Sequence, residues 1–312
     1  MLARGWSATA GCATLTTATF AAKFSSQSQT LNFSWGMTTR LDKPRKVDQC
    51  YMPCSRVLDP EGNGNGRITS SDLVEREYAD LNLKNLYDDG QVGHVRIRQH
   101  VNPLSSSFSI PVDAPDWDDV FNDSKLPLMV DIGSGSGRFL IWLAKRFPDS
   151  RNCLGLEIRH KLVQRCQFWA KELSLRNIHF LSCNATISFE RLVSSYPGPL
   201  AFVTILCPDP HFKKRHHKRR VLQKPLVDSI LNNLITGGQV LMQSDVLQVA
   251  VDMRDQLDQQ ADVLKHIDAI DGSFSCDEEG WLRHNPFGIR TEREIHAELE
   301  GAKIYRRMYQ KL

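Results

Sequence analysis

From residue 126 onward, short apolar runs alternate with stretches that keep helical spacing, and this alternation restricts the fold more than any other feature. The runs at 128–132, 153–156, 178–182, 200–206 and 239–243 have strand length and are read as strands. Between them, 139–147, 161–173, 187–193, 223–235 and 246–260 carry apolar residues three and four apart and are read as helices. Such alternation builds a doubly wound, mostly parallel α/β sheet with helices on both faces. A last run at 302–309 alternates enough to be a terminal strand.

The first strand opens into Val130-Asp-Ile-Gly-Ser-Gly-Ser-Gly137. Glycines at this turn allow a sharp bend and let a ligand approach without meeting a Cβ. In doubly wound sheets, ligands bind at the carboxyl ends of the strands. A dinucleotide fingerprint needs a small residue where this chain has Arg138, and Asp131 places negative charge where a diphosphate would lie. A ligand with an adenosine, no phosphate and a cationic amino-acid end fits better, and S-adenosylmethionine is such a ligand. Gly133 and Gly135 supply the turn, and Asp131 draws the cationic end. Glu157 closes the second strand, where an acid accepts from both ribose hydroxyls, with Ile158 beside it. Asn184, past the third strand, offers a donor and an acceptor to the adenine edge, and Ala185 leaves room for the ring.

The fourth strand leads into Leu206-Cys-Pro-Asp-Pro-His-Phe-Lys-Lys-Arg-His-His-Lys-Arg-Arg220. Two prolines fix the backbone around Asp209, and six of the eight residues from Lys213 to Arg220 are Lys or Arg. A rigid carboxylate beside dense positive charge suits chemistry on a polyanion; a solvated charge run is the plainer alternative. The net charge of the 312 residues is only +3, so any polyanion site must be local. No uninterrupted apolar run approaches membrane-spanning length, and no membrane association is expected. The eight cysteines include a Cys50/Cys54 pair without a second pair at zinc-ligand spacing, so neither a metal site nor a disulfide framework is expected.

Residues 1–41 contain no Asp or Glu and are rich in Ser, Thr and Ala, the composition of an organellar transit peptide, with plastid favoured over mitochondrion. Asp59-Pro-Glu-Gly-Asn-Gly-Asn-Gly66 reads as linker. A short helix is expected from Ser71, capped by Ser71 or Asp72. The expected organisation is therefore a transit peptide and linker over 1–60, an extension over 61–125 and a catalytic domain over 126–312.

Asp131-Ile-Gly-Ser-Gly, Gly155-Leu-Glu-Ile-Arg159, the Pro-Asp-Pro turn with its basic loop, Ser244-Asp245 and Thr291-Glu-Arg-Glu294 occur in one order. Together they resemble the tRNA (guanine-N7-)-methyltransferases of the bacterial TrmB type, over roughly residues 94 to 312. Arg96-Ile-Arg-Gln-His-Val-Asn-Pro103 is similar to the cyanobacterial versions. The resemblance implies a Rossmann-like class I S-adenosylmethionine-dependent methyltransferase fold with seven strands, acting on N7 of a variable-loop guanine. It puts the cofactor pocket at Asp131, Glu157, Asn184 and Leu206, and the catalytic carboxylate at Asp209. It puts substrate contacts at Lys213, Asp245, Thr291 and Glu294, and the tRNA-backbone contacts at Lys214, Arg215, Lys218, Arg219 and Arg220. It also implies activity without a partner subunit, as monomer or homodimer. Two departures stand out: Asn184 replaces the acid of many bacterial members, and Cys207 replaces a Phe.

Guanine N7 carries an exposed lone pair, so no base is needed to make the nucleophile. A carboxylate such as Asp209 can orient the base or stabilise the cationic product. Asp245 and Glu294 are further acids for this work, with helix capping as their alternative. Phe212 and Trp281 are candidates for stacking on an extruded base, with core packing as the alternative. The remaining readings are a non-catalytic RNA-binding protein on the same scaffold and a nicotinamide oxidoreductase.

Overall fold

The computed structural model describes residues 68–86 and 101–312. The transit, linker and Cys50/Cys54 readings, and most of the Arg96–103 motif, lie outside the described residues.

Seven strands form one sheet in the order β3-β2-β1-β4-β5-β7-β6. They are β1 (Leu128–Ile132), β2 (Asn152–Glu157), β3 (Ile178–Ser182), β4 (Leu200–Leu206), β5 (Leu234–Ser244), β6 (Leu264–His266) and β7 (Tyr305–Lys311). β1 to β5 pair in parallel, while β7 runs antiparallel between β5 and β6. This order, with its reversed seventh strand, is the Rossmann-like class I methyltransferase fold. The order reverses between β1 and β4, the switch point where doubly wound sheets bind ligands.

Strand side chains alternate between two apolar layers. Val130, Leu154, Val203 and Met242 join one core, and Met129, Cys153, Phe202 and Leu241 the other. The first layer is covered by α5 (Ala185–Ser194), α6 (Lys224–Asn233) and α7 (Leu247–Asp258). The second is covered by α3 (Arg138–Arg146), α4 (His160–Glu172) and α8 (Glu292–Leu299), with α1 (Ser70–Glu77) against α8. A one-turn helix, α2 (Trp117–Val120), precedes β1, its Trp117 ring stacked on Phe121.

Local chemistry sets the ends of these elements. α1 is capped by Thr69 rather than by Ser71 or Asp72, and Asp72 completes the capping box from inside the helix. The Gly237-Gly238 turn lies within β5: Leu200 pairs with Leu234 but Phe202 with Gln239, so the residues between them bulge out. Gly237 makes the bulge possible with φ +81°.

Candidate active site

The carboxyl ends of β1, β2, β3 and β4 frame a cleft of about 340 Å³, closed on one side by residues 101–109. Gly133, Glu157, Ile158, Asn184, Ala185 and Asp209 line it, as do Lys218, Arg219 and Arg220.

Gly133 has φ +85° and no atom within 4 Å of where a Cβ would stand, leaving the cleft floor open. Behind it, Gly137 starts α3 at φ +77°, where a Cβ would meet Cys166 Sγ at 2.5 Å. The Gly135 N–H donates to Glu157 Oε2 at 2.9 Å, locking the turn to the end of β2. Glu157 Oε1 also accepts from the backbone N–H and Nε of Arg159, both at 2.9 Å, and Oε2 from Nη2 at 3.0 Å. Burial works against the charge on Arg159. The hydrogen bonds and charge of Glu157, followed by the charge of Asp209, nevertheless hold its pKa above the ordinary value. Arg159 therefore stands between the two acids. The sequence reading gave it no role, although it ends the quoted Gly155–Arg159 motif.

Asp131 is 3% exposed, and its Oδ1 accepts from Thr204 Oγ1 at 2.7 Å. Burial pushes its carboxyl up to about 7, against the Thr204 hydrogen bond and with help from the charge of Glu157. It sits one residue behind Ile132 and Gly133, which line the cleft. A cationic ligand end arriving there would restore its charge. Arg138, which breaks the dinucleotide fingerprint, is committed elsewhere: it pairs with Glu292 and lies 4.9 Å over the Trp169 ring. The set of groups suits a ligand with hydroxyls and a cationic end, as S-adenosylmethionine has.

Asn184 caps α5, its Oδ1 accepting from the Thr186 N–H at 3.2 Å, while its amide donates to the Pro103 carbonyl at 3.1 Å. Each polar end thus has one partner within the chain. Each end keeps a second bonding position, and Asn184 and Ala185 both line the cleft. The segment 101–109 is a cleft wall that no local signal marked. Leu206 ends β4 half-buried against the second core rather than in the lining.

Asp209 is exposed at the lip of the cleft, in a turn bracketed by Cys207 at φ +49° and His211 at φ +45°. Two non-glycine residues in the left-handed region are costly, at about 1–3 kcal/mol each, and such strain gathers at functional sites. Cys207 is tied down by its N–H to the Gln243 carbonyl at 2.7 Å, and its Sγ accepts from Gln243 Nε2 at 3.6 Å.

The basic run forms a 3-10 turn over Lys214–Arg219, with Lys213 preceding it. Lys213, Lys214 and Arg215 are exposed but outside the cleft lining. Arg220 departs from its reading as a backbone-binding cation. It is 6% exposed, donates to the Pro210 carbonyl at 3.1 Å and pairs with Asp252 at 3.3 Å, so it fastens the Asp209 turn.

Three expected substrate contacts lie in a network beside the cleft. Asp245 does not cap α7, whose cap is Val246; it accepts from Arg293 Nε at 3.0 Å. Thr291 and Glu294 form the capping box of α8, and Glu294, 1% exposed, pairs with Arg306 and accepts from Gln243 at 3.1 Å. Of the two stacking candidates, Phe212 is 68% exposed. Trp281 is 2% exposed and packs against Tyr305, as a core residue does.

A family model described as "Putative methyltransferase" matches residues 125–307. A tRNA (guanine-N(7)-)-methyltransferase of Synechococcus sp. (strain JA-3-3Ab) is 46% identical over 211 residues, covering 68% of this chain and 84% of that protein. A protein of the same name from Synechocystis sp. (strain ATCC 27184 / PCC 6803 / Kazusa) is 42% identical over 220 residues, covering 70% of this chain and 99% of its own length. A third, from Trichormus variabilis, is 41% identical over 220 residues, covering 70% of this chain and 97% of that protein. With the reversed seventh strand, the acid at the end of β2 and the Pro-Asp-Pro turn in place, the chain belongs to the TrmB family of tRNA (guanine-N(7)-)-methyltransferases.

Proposed function

We propose that this protein transfers a methyl group from S-adenosylmethionine to N7 of a guanine in tRNA, in the variable loop. The observation that carries this reading is the placement of Asp209. It stands at the lip of the cleft between two strained residues, and Lys218 and Arg219 of the cationic turn line the same cleft.

When bound, S-adenosylmethionine supplies an electrophilic methyl group, so the residues have mainly to position and to balance charge. Glu157 offers acceptors for ribose hydroxyls, for which Arg159 must yield. Asp131 meets the cationic end from behind the glycine turn. Asp209 accepts from the N1–H and N2–H₂ edge of guanine and faces the positive charge that grows on the base. Lys218 and Arg219, with the exposed Lys213, Lys214 and Arg215, neutralise phosphates around the guanine.

The test uses the full chain with labelled S-adenosylmethionine and bulk tRNA, followed by mapping of N7-methylguanosine. Methylation at a variable-loop guanine by this polypeptide alone is expected. Asp209→Ala should lower the rate by about 10²–10³-fold, as loss of a preorganised electrostatic group does, while S-adenosylhomocysteine still binds. Full activity in that variant would refute the role of Asp209. The acid-free composition of residues 1–41 supports a plastid address, which a fluorescent fusion tests.

A further inference from the structure

Residues 68–86 lie outside the matched 125–307, yet they are built into the second core. Tyr78 is 3% exposed, Leu81 0% and Leu83 5%, packed in the cluster that holds Ile289 and Ile295. Asp80 meets Lys145 and Arg146 of α3, while the contacts of Glu77 and Tyr78 converge on one residue. Glu77 Oε1 accepts from the Arg290 backbone N–H at 3.0 Å and from its Nε at 3.3 Å, and Oε2 accepts from Nη2 at 2.6 Å. The Tyr78 hydroxyl donates to the Arg290 carbonyl. Both backbone groups of Arg290 are thus held by the extension.

Arg290 directly precedes Thr291, the cap of α8. From there the bonds continue inward. Glu294 accepts from the Thr291 N–H at 3.3 Å, Asn285 and Arg306, and from Gln243 at 3.1 Å. Gln243 in turn bonds both the backbone and the thiol of Cys207, the strained residue two before Asp209. Arg293, on the same first turn of α8, holds Asp245.

We propose that helix α1 and the turns after it are a brace that sets the Thr291–Glu294 wall and, through Gln243 and Cys207, the Asp209 turn. Glu77 and Tyr78 are its positioning residues. This rests on the reading of that wall and of Asp209 as the acceptor side of a methyl transfer. A bidentate ion pair plus two backbone bonds fixes both the distance and the rotation of the segment it grips, which apolar packing alone does not do. The cofactor acids Asp131 and Glu157 make no bond within this chain, which touches only the start of α3 through the Arg138–Glu292 pair, so the brace acts on turnover more than on cofactor affinity.

In the full chain, Glu77→Ala and Glu77→Gln should lower kcat on saturating tRNA by about five- to tenfold, with S-adenosylhomocysteine affinity within about twofold of the parent. Glu77→Asp should restore part of the loss, and Tyr78→Phe should show a smaller one. Amide hydrogen exchange should quicken in Glu77→Ala at Arg290, at Thr291–Glu294 and at Cys207, but not along β1. Unchanged kcat in soluble Glu77→Ala overturns the proposal, as does a fall in S-adenosylhomocysteine affinity in step with kcat. Should Glu77→Ala fail to fold, Tyr78→Phe decides, and unchanged kcat there overturns it equally. If the parent does not methylate tRNA, the exchange experiment still judges the brace: quickening confined to Arg290 refutes it.

Discussion

Asp131 gives the sharpest test of how the cofactor cleft works. Its carboxyl is pushed up to about 7 by burial, so about a tenth of the cofactor-free molecules carry the charge at pH 6 and about nine tenths at pH 8. A ligand with a cationic amino end needs that charge. S-adenosylhomocysteine affinity should therefore rise about tenfold between pH 6 and pH 8, equivalent to about 1.4 kcal/mol. Binding near pH 7 should also release about half a proton, seen in calorimetry as a heat that depends on the buffer. The same shift has a cost for folding. The folded value lies above the ordinary 3.8, so the folded chain holds this proton more tightly than the unfolded chain. The resulting stabilisation is complete below about pH 4 and is lost as pH rises through 7, a loss of about 4 kcal/mol at most. Asp131→Asn keeps an acceptor for Thr204 and carries no charge. It should bind S-adenosylhomocysteine weakly with no slope between pH 6 and 8, yet melt higher than the parent at pH 8 when free of ligand. A flat affinity in the parent refutes the reasoning. So does an equal slope in the variant.

Glu157→Gln removes the carboxylate from the Gly135 turn and from Arg159, and should weaken S-adenosylhomocysteine binding by about 10²-fold, as loss of two charge-assisted hydrogen bonds does; calorimetry reads it. Lys218→Ala with Arg219→Ala should flatten the salt dependence of tRNA binding by about 1.5 in log–log slope, measured by filter binding. Arg220→Ala should leave that slope alone and instead cost about 1–3 kcal/mol in chemical denaturation, because Asp252 and the Pro210 carbonyl lose their partner. Gly155→Ala would drive a Cβ to 2.4 Å from Phe180 Cδ1 and 2.9 Å from Ser134 Oγ, with a cost of about 1–3 kcal/mol that Phe180→Leu should partly relieve.

What the sequence makes legible follows from what is local. β1 and β4 are almost wholly buried runs and β3 is a partly buried edge strand, and the ends of all three match the expected ones. β6 has three residues and pairs with no strand but β7, so no run of its own marks it. α8 does carry a local signature, the Thr291-x-x-Glu294 capping box, but those residues read first as substrate contacts. Charge runs show how many cations a loop has and not which one turns inward; Arg220 is placed by Asp252, far along the chain. Arg159 was visible only as part of a motif, because one of the acids it answers, Asp209, lies past a different strand from Glu157. The grip of Glu77 on Arg290 spans 213 positions and leaves no trace in either segment's pattern.

The position of β7 has a consequence for how the chain is made. It is the last strand in sequence but an interior one in the sheet, pairing with β5 on one side and β6 on the other. It also brings Arg306 to Glu294. During synthesis β5 must therefore wait with an open edge, and β6 with no partner at all, until residues 305–311 emerge. A chain that stops before Tyr305 lacks the strand joining β5 to β6 and the cation beneath the acceptor wall. Until β7 pairs, the β5 edge carries unpaired backbone groups that invite pairing with other chains.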